Sequence, residues 1–480
     1  MAISLNVTIR LKLVNKPGML AQVLAVIAAE GGNLGSIDVV SVESGYVIRE
    51  LMVGFSERKN MARLVGALEE IPGVEVEQVA DRVFTKHLGG KMEIKARSEI
   101  LDREDLSTVY TPGVARASQA IADDPELVYQ LTIKGNSVAI VTDGTAVLGL
   151  GDIGPEAALP VMEGKALLFK KFGGIDAVPL CLNVHSIKEI VDTVVACAPT
   201  YGGINLEDIA APKCFSIEEE LVRRLDIPVF HDDQHGTAIV VTAGLINALR
   251  VVGKSIDQVK IVINGAGAAG VAVTKMLLVT GARDIIICDR NGAISRDNLS
   301  AVDSKKWLAE HTNKGCVHGS LPEVIGGADV FIGVSGPGLL HREDILRMAE
   351  KPIIFALANP VPEVDPNEIQ DIAGVIATGR SDFPNQINNV LAFPGVFRGA
   401  LDCHARVIND AMCLAAARVL ADLVPAEQLS PEYIIPSVFH EGVCPAVSHA
   451  VQKAAKETGV SRRYRFEEKQ QDKILVFNAD

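Results

Sequence analysis

Leu5, Val7, Ile9, Leu11 and Leu13 alternate with mostly polar neighbours, the period-two pattern of a strand buried on one face. Pro17-Gly18 then opens a helix with an apolar stripe of Leu20, Val23, Leu24 and Ile27, and Gly31-Gly32 closes it. Strand-like runs come next over 35–42 and 46–54, joined by Ser44-Gly45. A helix over 58–70 and a strand over 74–79 complete a β-α-β-β-α-β order, the ferredoxin-like plan. A charged stretch from Lys86 to Glu104 separates this unit from the rest of the chain. Apolar runs then recur at 137–142, 177–182, 228–231, 259–264, 284–288, 328–334, 352–358 and 374–378. Helical patterns lie between most of them, which predicts an α/β body with largely parallel sheets. No internal repeat is visible. The last twenty residues, Arg-rich around 462–465, read as a solvated tail or peripheral helix, because Glu467 and Glu468 follow at once.

Composition narrows this picture. A chain of 480 residues accommodates about three domains at roughly 150 residues each, and 48% hydrophobic content with 4% aromatics suits aliphatic, layered packing. A formal net charge of -14 argues against nucleic acid as a partner, since phosphate binding needs clustered Lys and Arg. None of the eight cysteines has CxxC spacing and most lie in apolar runs, as expected of reduced thiols in a cytoplasmic protein. The N-terminus lacks a charged segment followed by a long apolar one, and no run of about eighteen uncharged apolar residues occurs, so neither export nor a membrane span is expected.

Gly265, Gly267 and Gly270 form G-x-G-x-x-G directly after the apolar run 259–263, ahead of a helical pattern over 268–280 and a run ending on Asp289. That is the context a dinucleotide needs. The glycines permit a tight turn and close approach of the pyrophosphate to a helix N-terminus, and the acid accepts from ribose hydroxyls. Asp289 also repels a 2′-phosphate, which favours NAD over NADP, although Arg290 beside it could accommodate that phosphate. Gly149, Gly151 and Gly154 repeat the spacing with no acid closing a following strand, and read as a turn shaping a substrate cleft.

Two acidic pairs end apolar segments: Glu207-Asp208 after Gly203–Leu206, and Asp232-Asp233 after Ile227–His231. Ligands gather at the carboxyl ends of parallel strands, and carboxylates suit a hard cation such as Mg²⁺ or Mn²⁺. The alternative is a pair of helix N-caps. Pro160 is expected to open a helix with a buried stripe of Val161, Met162, Lys165, Leu168, Phe169 and Phe172. Lys165 within that stripe is either a base whose pKa is lowered by desolvation or a snorkelling lysine with its ammonium in water.

With Asn15-Lys16-Pro17-Gly18 at the first strand–helix junction and Gly31-Gly32-Asn33 after the helix, residues 1–85 resemble an ACT domain. That resemblance implies either a site for a small effector or a unit used only for dimerisation. From about 90 to 450 the chain resembles the malic enzymes. The carrying motifs are Tyr110-Thr111-Pro112-Gly113-Val114, Thr142-Asp143-Gly144 through Gly149-Leu150-Gly151-Asp152, and Glu163-Gly164-Lys165. They continue with Glu207-Asp208, Asp232-Asp233-Gln234-His235-Gly236-Thr237, Leu357-Ala358-Asn359-Pro360, and Asn388-Asn389 before Phe393-Pro394-Gly395. The resemblance implies a catalytic domain over 86–236, a Rossmann-type NAD domain over 237–460 and a tail over 461–480. It implies metal-dependent oxidation and decarboxylation of malate to pyruvate, in a homodimer or higher oligomer.

It also implies residue roles. Lys165 is the general base, oriented by Asp232, and Tyr110 protonates the enolate at carbon. Glu207, Asp208 and Asp233 hold the metal. Asn359, Asn388 and Asn389 bind substrate, with Asn359 also reaching the cofactor. Many larger members carry an arginine two residues after Thr-Asp-Gly; here Ala146 stands there, so another cation, or the metal and asparagines, must hold the malate carboxylate. Two other functions remain open on the residues alone: a metal-independent amino-acid dehydrogenase, and a non-catalytic nucleotide-binding regulator.

Overall fold

In a computed structural model of the chain, which describes residues 5–55, 58–147, 149–297 and 302–462, the alternation that opens the sequence becomes β1 (Leu5–Val14). The predicted C-terminal tail lies outside the described residues beyond position 462. The chain forms two compact units, Met1–Glu93 and Ile94–Asp480.

In the first unit β1 is followed by α1 (Met19–Ala29), β2 (Asn33–Glu43), β3 (Tyr46–Phe55), α2 (Arg58–Glu69) and β4 (Val74–Asp81). They make an antiparallel sheet of order β2-β3-β1-β4, the expected ferredoxin-like arrangement. The odd-numbered Val7, Ile9, Leu11 and Leu13 pack with Val23 and Ile27 of α1 and with Leu64 and Leu68 of α2. Each such burial contributes about 1.5–3 kcal/mol, enough to give the unit its own core. A short α3 (Arg82–His87) follows, its first turn capped by the Asp81 carboxylate accepting from the Val83 N–H at 2.8 Å.

The second unit begins with α4 (Arg103–Val109), α5 (Val114–Asp123) and α6 (Val128–Leu131). Its first sheet is wound from β5 (Ser137–Thr142), α7 (Pro155–Gly173), β6 (Asp176–Cys181), α8 (Ile187–Cys197), β7 (Gly203–Leu206), α9 (Lys213–Arg224) and β8 (Val229–His231). All four strands are parallel, in the order β6-β5-β7-β8. α7 starts at Pro155, five residues before the predicted Pro160, which lies inside the helix. Proline is well suited to a first helical position, where its missing N–H has no intrahelical acceptor; Pro155 therefore marks the start. Val161, expected in the buried stripe, is 40% exposed, while Met162, Lys165, Ala166 and Phe169 are buried.

A π-turn over Asp232–Gly236 leads from β8 into α10 (Thr237–Val252). Asp232–Val252 is long and apolar enough to cross a membrane by length and composition, but 67% of it is buried inside the fold, as a core helix is. The second sheet contains β9 (Lys260–Asn264), α11 (Ala268–Thr280), β10 (Asp284–Asp289), β11 (Gly292–Ala293), α12 (Asp303–His311), α13 (Leu321–Val324), β12 (Val330–Gly333), α14 (Arg342–Ile345), β13 (Ile353–Ala356) and β14 (Val375–Thr378). Its order is β11-β10-β9-β12-β13-β14, with only β11 antiparallel. The winding direction reverses at β9, which is where open α/β sheets bind nucleotides. α15 (Phe393–Asp402), α16 (Asp410–Asp422) and α17 (Val443–Glu457) close the unit. All eight cysteines are free thiols.

Candidate active site

Two neighbouring strands of the first sheet, β7 and the edge strand β8, run into acidic residues at their carboxyl ends, and these converge. Glu207 and Asp208 follow β7, Asp232 and Asp233 follow β8, and Lys165 reaches them from the middle of α7. The Lys165 ammonium ion-pairs with Asp232 and lies 3.0 Å from Glu207, with the Phe393 ring 4.0 Å beneath it. Lys165 is only 8% exposed, so it does not snorkel. Nor is its pKa lowered as desolvation alone would dictate: burial pushes it down, but Asp232 and Glu207 outweigh that and hold it above the ordinary lysine value.

Glu207, Asp208 and Asp233 each offer an oxygen, and these atoms lie within 4.8 Å of one another. Asp208 has a left-handed backbone (φ 53°), held by its N–H donating to Asp233 Oδ2 at 2.9 Å and its carbonyl accepting from Ala146 at 2.9 Å. Non-glycine residues in that conformation cluster at functional sites. Burial and then Asp233 push the Asp208 carboxyl up to about 7, and burial drives Glu207 well above the usual range. Asp208 Oδ2 is buried without a hydrogen-bond partner. A crowded acid trio with an orphaned oxygen fits a divalent cation, which would relieve the repulsion and take the free lone pair. Asn205 Nδ2 donates to Glu207 at 2.9 Å, a support that no local sequence pattern marks.

Asn389 donates to the Asp232 carboxylate at 3.1 Å and to its carbonyl at 3.2 Å, joining the segment before α15 to the site. Asn388 is engaged as a helix N-cap, accepting from Val390 at 3.0 Å. The turn with Gly149, Gly151 and Gly154 at positive φ lies against Asn359: a Cβ on Gly149 would stand 3.2 Å from the Asn359 carbonyl. Tyr110, at the end of α4, is 66% exposed, and no hydrogen bond or ion pair joins it to the Lys165 cluster.

At the β9–α11 turn a cavity of about 840 Å³ is lined by Asn264, Gly265, Gly267, Asp289, Lys305 and Ser335, among others. A Cβ on Gly265 (φ +121°) would come 2.6 Å from the Val334 carbonyl, and one on Gly270 would come 1.7 Å from the Gly265 carbonyl. One on Gly267 meets nothing within 4 Å, leaving open space at the helix N-terminus where a pyrophosphate sits. Asp289 is paired with Lys305 at 2.5 Å and accepts from the Asn291 N–H at 2.7 Å. Lys305 therefore offsets part of the repulsion of a 2′-phosphate expected of Asp289, a pairing that sixteen residues of separation hides from local sequence patterns.

A Rossmann-type sheet beside a lysine buried among carboxylates defines a dinucleotide-linked oxidoreductase. Three family models match the chain: the malic enzyme N-terminal domain over residues 89–222, the malic enzyme NAD binding domain over 234–456 and an ACT domain over 3–76. The chain is 53% identical over 460 residues to an NAD-dependent malic enzyme of Geobacillus stearothermophilus, covering 96% of both chains. It is 56% identical over 375 residues to a bifunctional malic/malolactic enzyme of Bacillus subtilis (strain 168), covering 78% of this chain and 92% of that one. The crystal structure of an NAD-dependent malic enzyme from Thermotoga maritima matches with a TM-score of 0.75 at 46% identity, over 78% of this chain and 99% of that one. The chain belongs to the NAD-dependent malic enzymes and carries an N-terminal ACT domain.

Proposed function

We propose that this chain oxidises malate with NAD and releases carbon dioxide and pyruvate, using Mg²⁺ or Mn²⁺ held by Glu207, Asp208 and Asp233. The observation that carries the reading is the buried Lys165 between Asp232 and Glu207, beside three acids whose oxygens lie within 4.8 Å. When bound, the cation supplies Lewis acidity at the hydroxyl and later the carbonyl oxygen of the substrate. Lys165 takes the hydroxyl proton as hydride leaves for the nicotinamide. With the charge of Glu207 spent on the cation, one of the two carboxylates that keep the ammonium charged is lost, and burial then acts to lower its pKa. Asp232, itself fixed by Asn389, keeps the Lys165 amine aimed. Asn359, Asn388 and Asn389 orient malate, and Tyr110 protonates the enolate carbon.

In this scheme residues 86–236 carry the chemistry, 237–460 bind NAD, and 1–85 bind a small effector. Tyr110 belongs to an apolar surface: Ile100, Leu101, Leu106, Val109 and Val114 on and around α4 and α5 are all exposed, and neither helix has a buried residue. A homodimer that covers this face accounts for it. A sedimentation mass of one chain at assay concentration would remove that part of the proposal.

The test of the reaction follows NADH absorbance with malate, offering NAD and NADP in turn, with Mn²⁺ and then with EDTA. Pyruvate and NADH formation that EDTA abolishes is the expected result. Turnover that survives EDTA, or reduction driven by an amino acid with release of ammonia, would overturn it.

A further inference from the structure

Among the described residues Glu218 of α9 makes no hydrogen bond or ion pair with the acid trio or the glycine turn, yet both of its carboxylate oxygens bond the segment that carries Asp232 and Asp233. Oε1 accepts from the His231 backbone N–H at 3.0 Å and meets His235 Nε2 at 2.8 Å, while Oε2 accepts from Gln234 Nε2 at 2.9 Å. The side chain is 13% exposed, so water contributes little to these contacts. The three partners bracket the π-turn from its entry at the end of β8 to its last side chain. A π-turn has one residue more per ring than an α-helix and is the less stable backbone, so it persists where other contacts over-determine it. Here it sends Asp232 to Lys165 and Asp233 to the acid trio.

We infer that Glu218 is a positioning residue that clamps the π-turn from behind and sets the affinity of the Glu207–Asp208–Asp233 site for its divalent cation. The inference rests on the reading of those three residues as metal ligands. Charged hydrogen bonds to a segment bearing a ligand act this way: they fix its orientation before the ion arrives, and their loss costs about 10–100-fold in metal affinity. Glu218 also occupies a place that helical spacing leaves visible, beside the apolar stripe Cys214, Ile217 and Leu221 that buries α9.

The test measures Mn²⁺ binding to the full chain by electron paramagnetic resonance, without substrate, for the wild type, Glu218→Gln and Glu218→Ala. NADH binding by fluorescence and the thermal midpoint are recorded alongside. Glu218→Ala is expected to weaken Mn²⁺ by about tenfold or more with NADH affinity unchanged. Glu218→Gln, which keeps one acceptor oxygen, should fall between it and the wild type. Wild-type Mn²⁺ affinity in both variants overturns the inference, as does a parallel loss of Mn²⁺ and NADH binding that follows the thermal midpoint. Asp233→Asn separates the role of Glu218 from the metal assignment beneath it. If it binds Mn²⁺ like the wild type, the metal assignment itself fails; if it alone loses Mn²⁺, only the role of Glu218 does.

Discussion

At the scale of single residues the site is governed by charge compensation. Lys165 is a buried cation with two carboxylates, and the same cluster holds Asp208 and Asp233, so four acids stand beside one lysine. Removing one partner of a buried ion pair is far more costly than removing both, because a charge is left unpaired in a low dielectric. Lys165→Met is therefore expected to destabilise the protein by about 3–5 kcal/mol at neutral pH. The same change should lower turnover by about 10²–10⁴-fold, the range supplied by a general base. Urea unfolding checks the first number and steady-state kinetics the second, while NADH affinity should hold, since the glycine turn is untouched. Full turnover in this variant would sink the assigned role. The sequence made Lys165 visible as a polar intruder in an apolar stripe, but not its partners. Asp232 and Glu207 lie 67 and 42 residues away, and it is their approach that reverses the expected direction of its pKa.

Elements were legible wherever an apolar run had the length of a strand, and the runs beginning at 137, 259, 284 and 374 all became strands of the two parallel sheets. The start of α7 was not, because Pro155 and Pro160 both satisfy a proline rule and only packing chooses between them. Tyr110 carries no local signal at all: it became a candidate through resemblance, and its exposure leaves its partner unassigned. The β9–α11 turn was fully legible, and its glycines separate into two kinds. Gly270→Ala drives a methyl into the Gly265 carbonyl, so the expected result is loss of stability by about 1–3 kcal/mol, seen in a lowered thermal midpoint. Gly267→Ala enters open space at φ -89°, which alanine adopts freely, so the free protein should melt as the wild type does. Its NADH affinity should fall by about tenfold or more, since the methyl occupies the approach of the pyrophosphate. Equal melting and equal NADH affinity for Gly267→Ala would move the nucleotide elsewhere. A third test lies at the start of β6, where Asp176 accepts from Asn136 at 2.9 Å and from Lys170 at 2.6 Å. Burial acts to raise its pKa, but those donors prevail and hold it lowered. Its contribution is thus present above the unfolded value of about 3.9 and lost as pH falls through the folded one. At 46% side-chain exposure the effect is small. The stability gap between wild type and Asp176→Asn should close between neutral pH and the acid side of that window, and a gap that stays constant would refute it.

For the molecule as a whole, the decisive observation is that the catalytic architecture recurs without the first unit. The matched part of this chain is 78% of its length, yet it accounts for 99% of the Thermotoga maritima enzyme and 92% of the Bacillus subtilis one. The remainder, where the ACT model matches residues 3–76, has its own sheet and its own core around Val7, Ile9 and Leu11, and so meets the physical requirement for folding as a unit. In the proposed scheme this module acts as a regulator, and regulation would then be a coupling free energy between an effector site in residues 1–85 and the malate site, typically about 1–3 kcal/mol. Deleting residues 1–88 should then leave malate oxidation with unchanged kcat and KM in the absence of effector. In the full chain a free amino acid or a similarly small metabolite should shift the malate KM by about 5–150-fold, the range that coupling corresponds to, and the truncated enzyme should not respond. A truncated enzyme that still responds would place the effector in the catalytic unit. One that is folded by circular dichroism but inactive would make residues 1–88 part of the catalytic architecture, and the separation of roles between the two units would have to be abandoned.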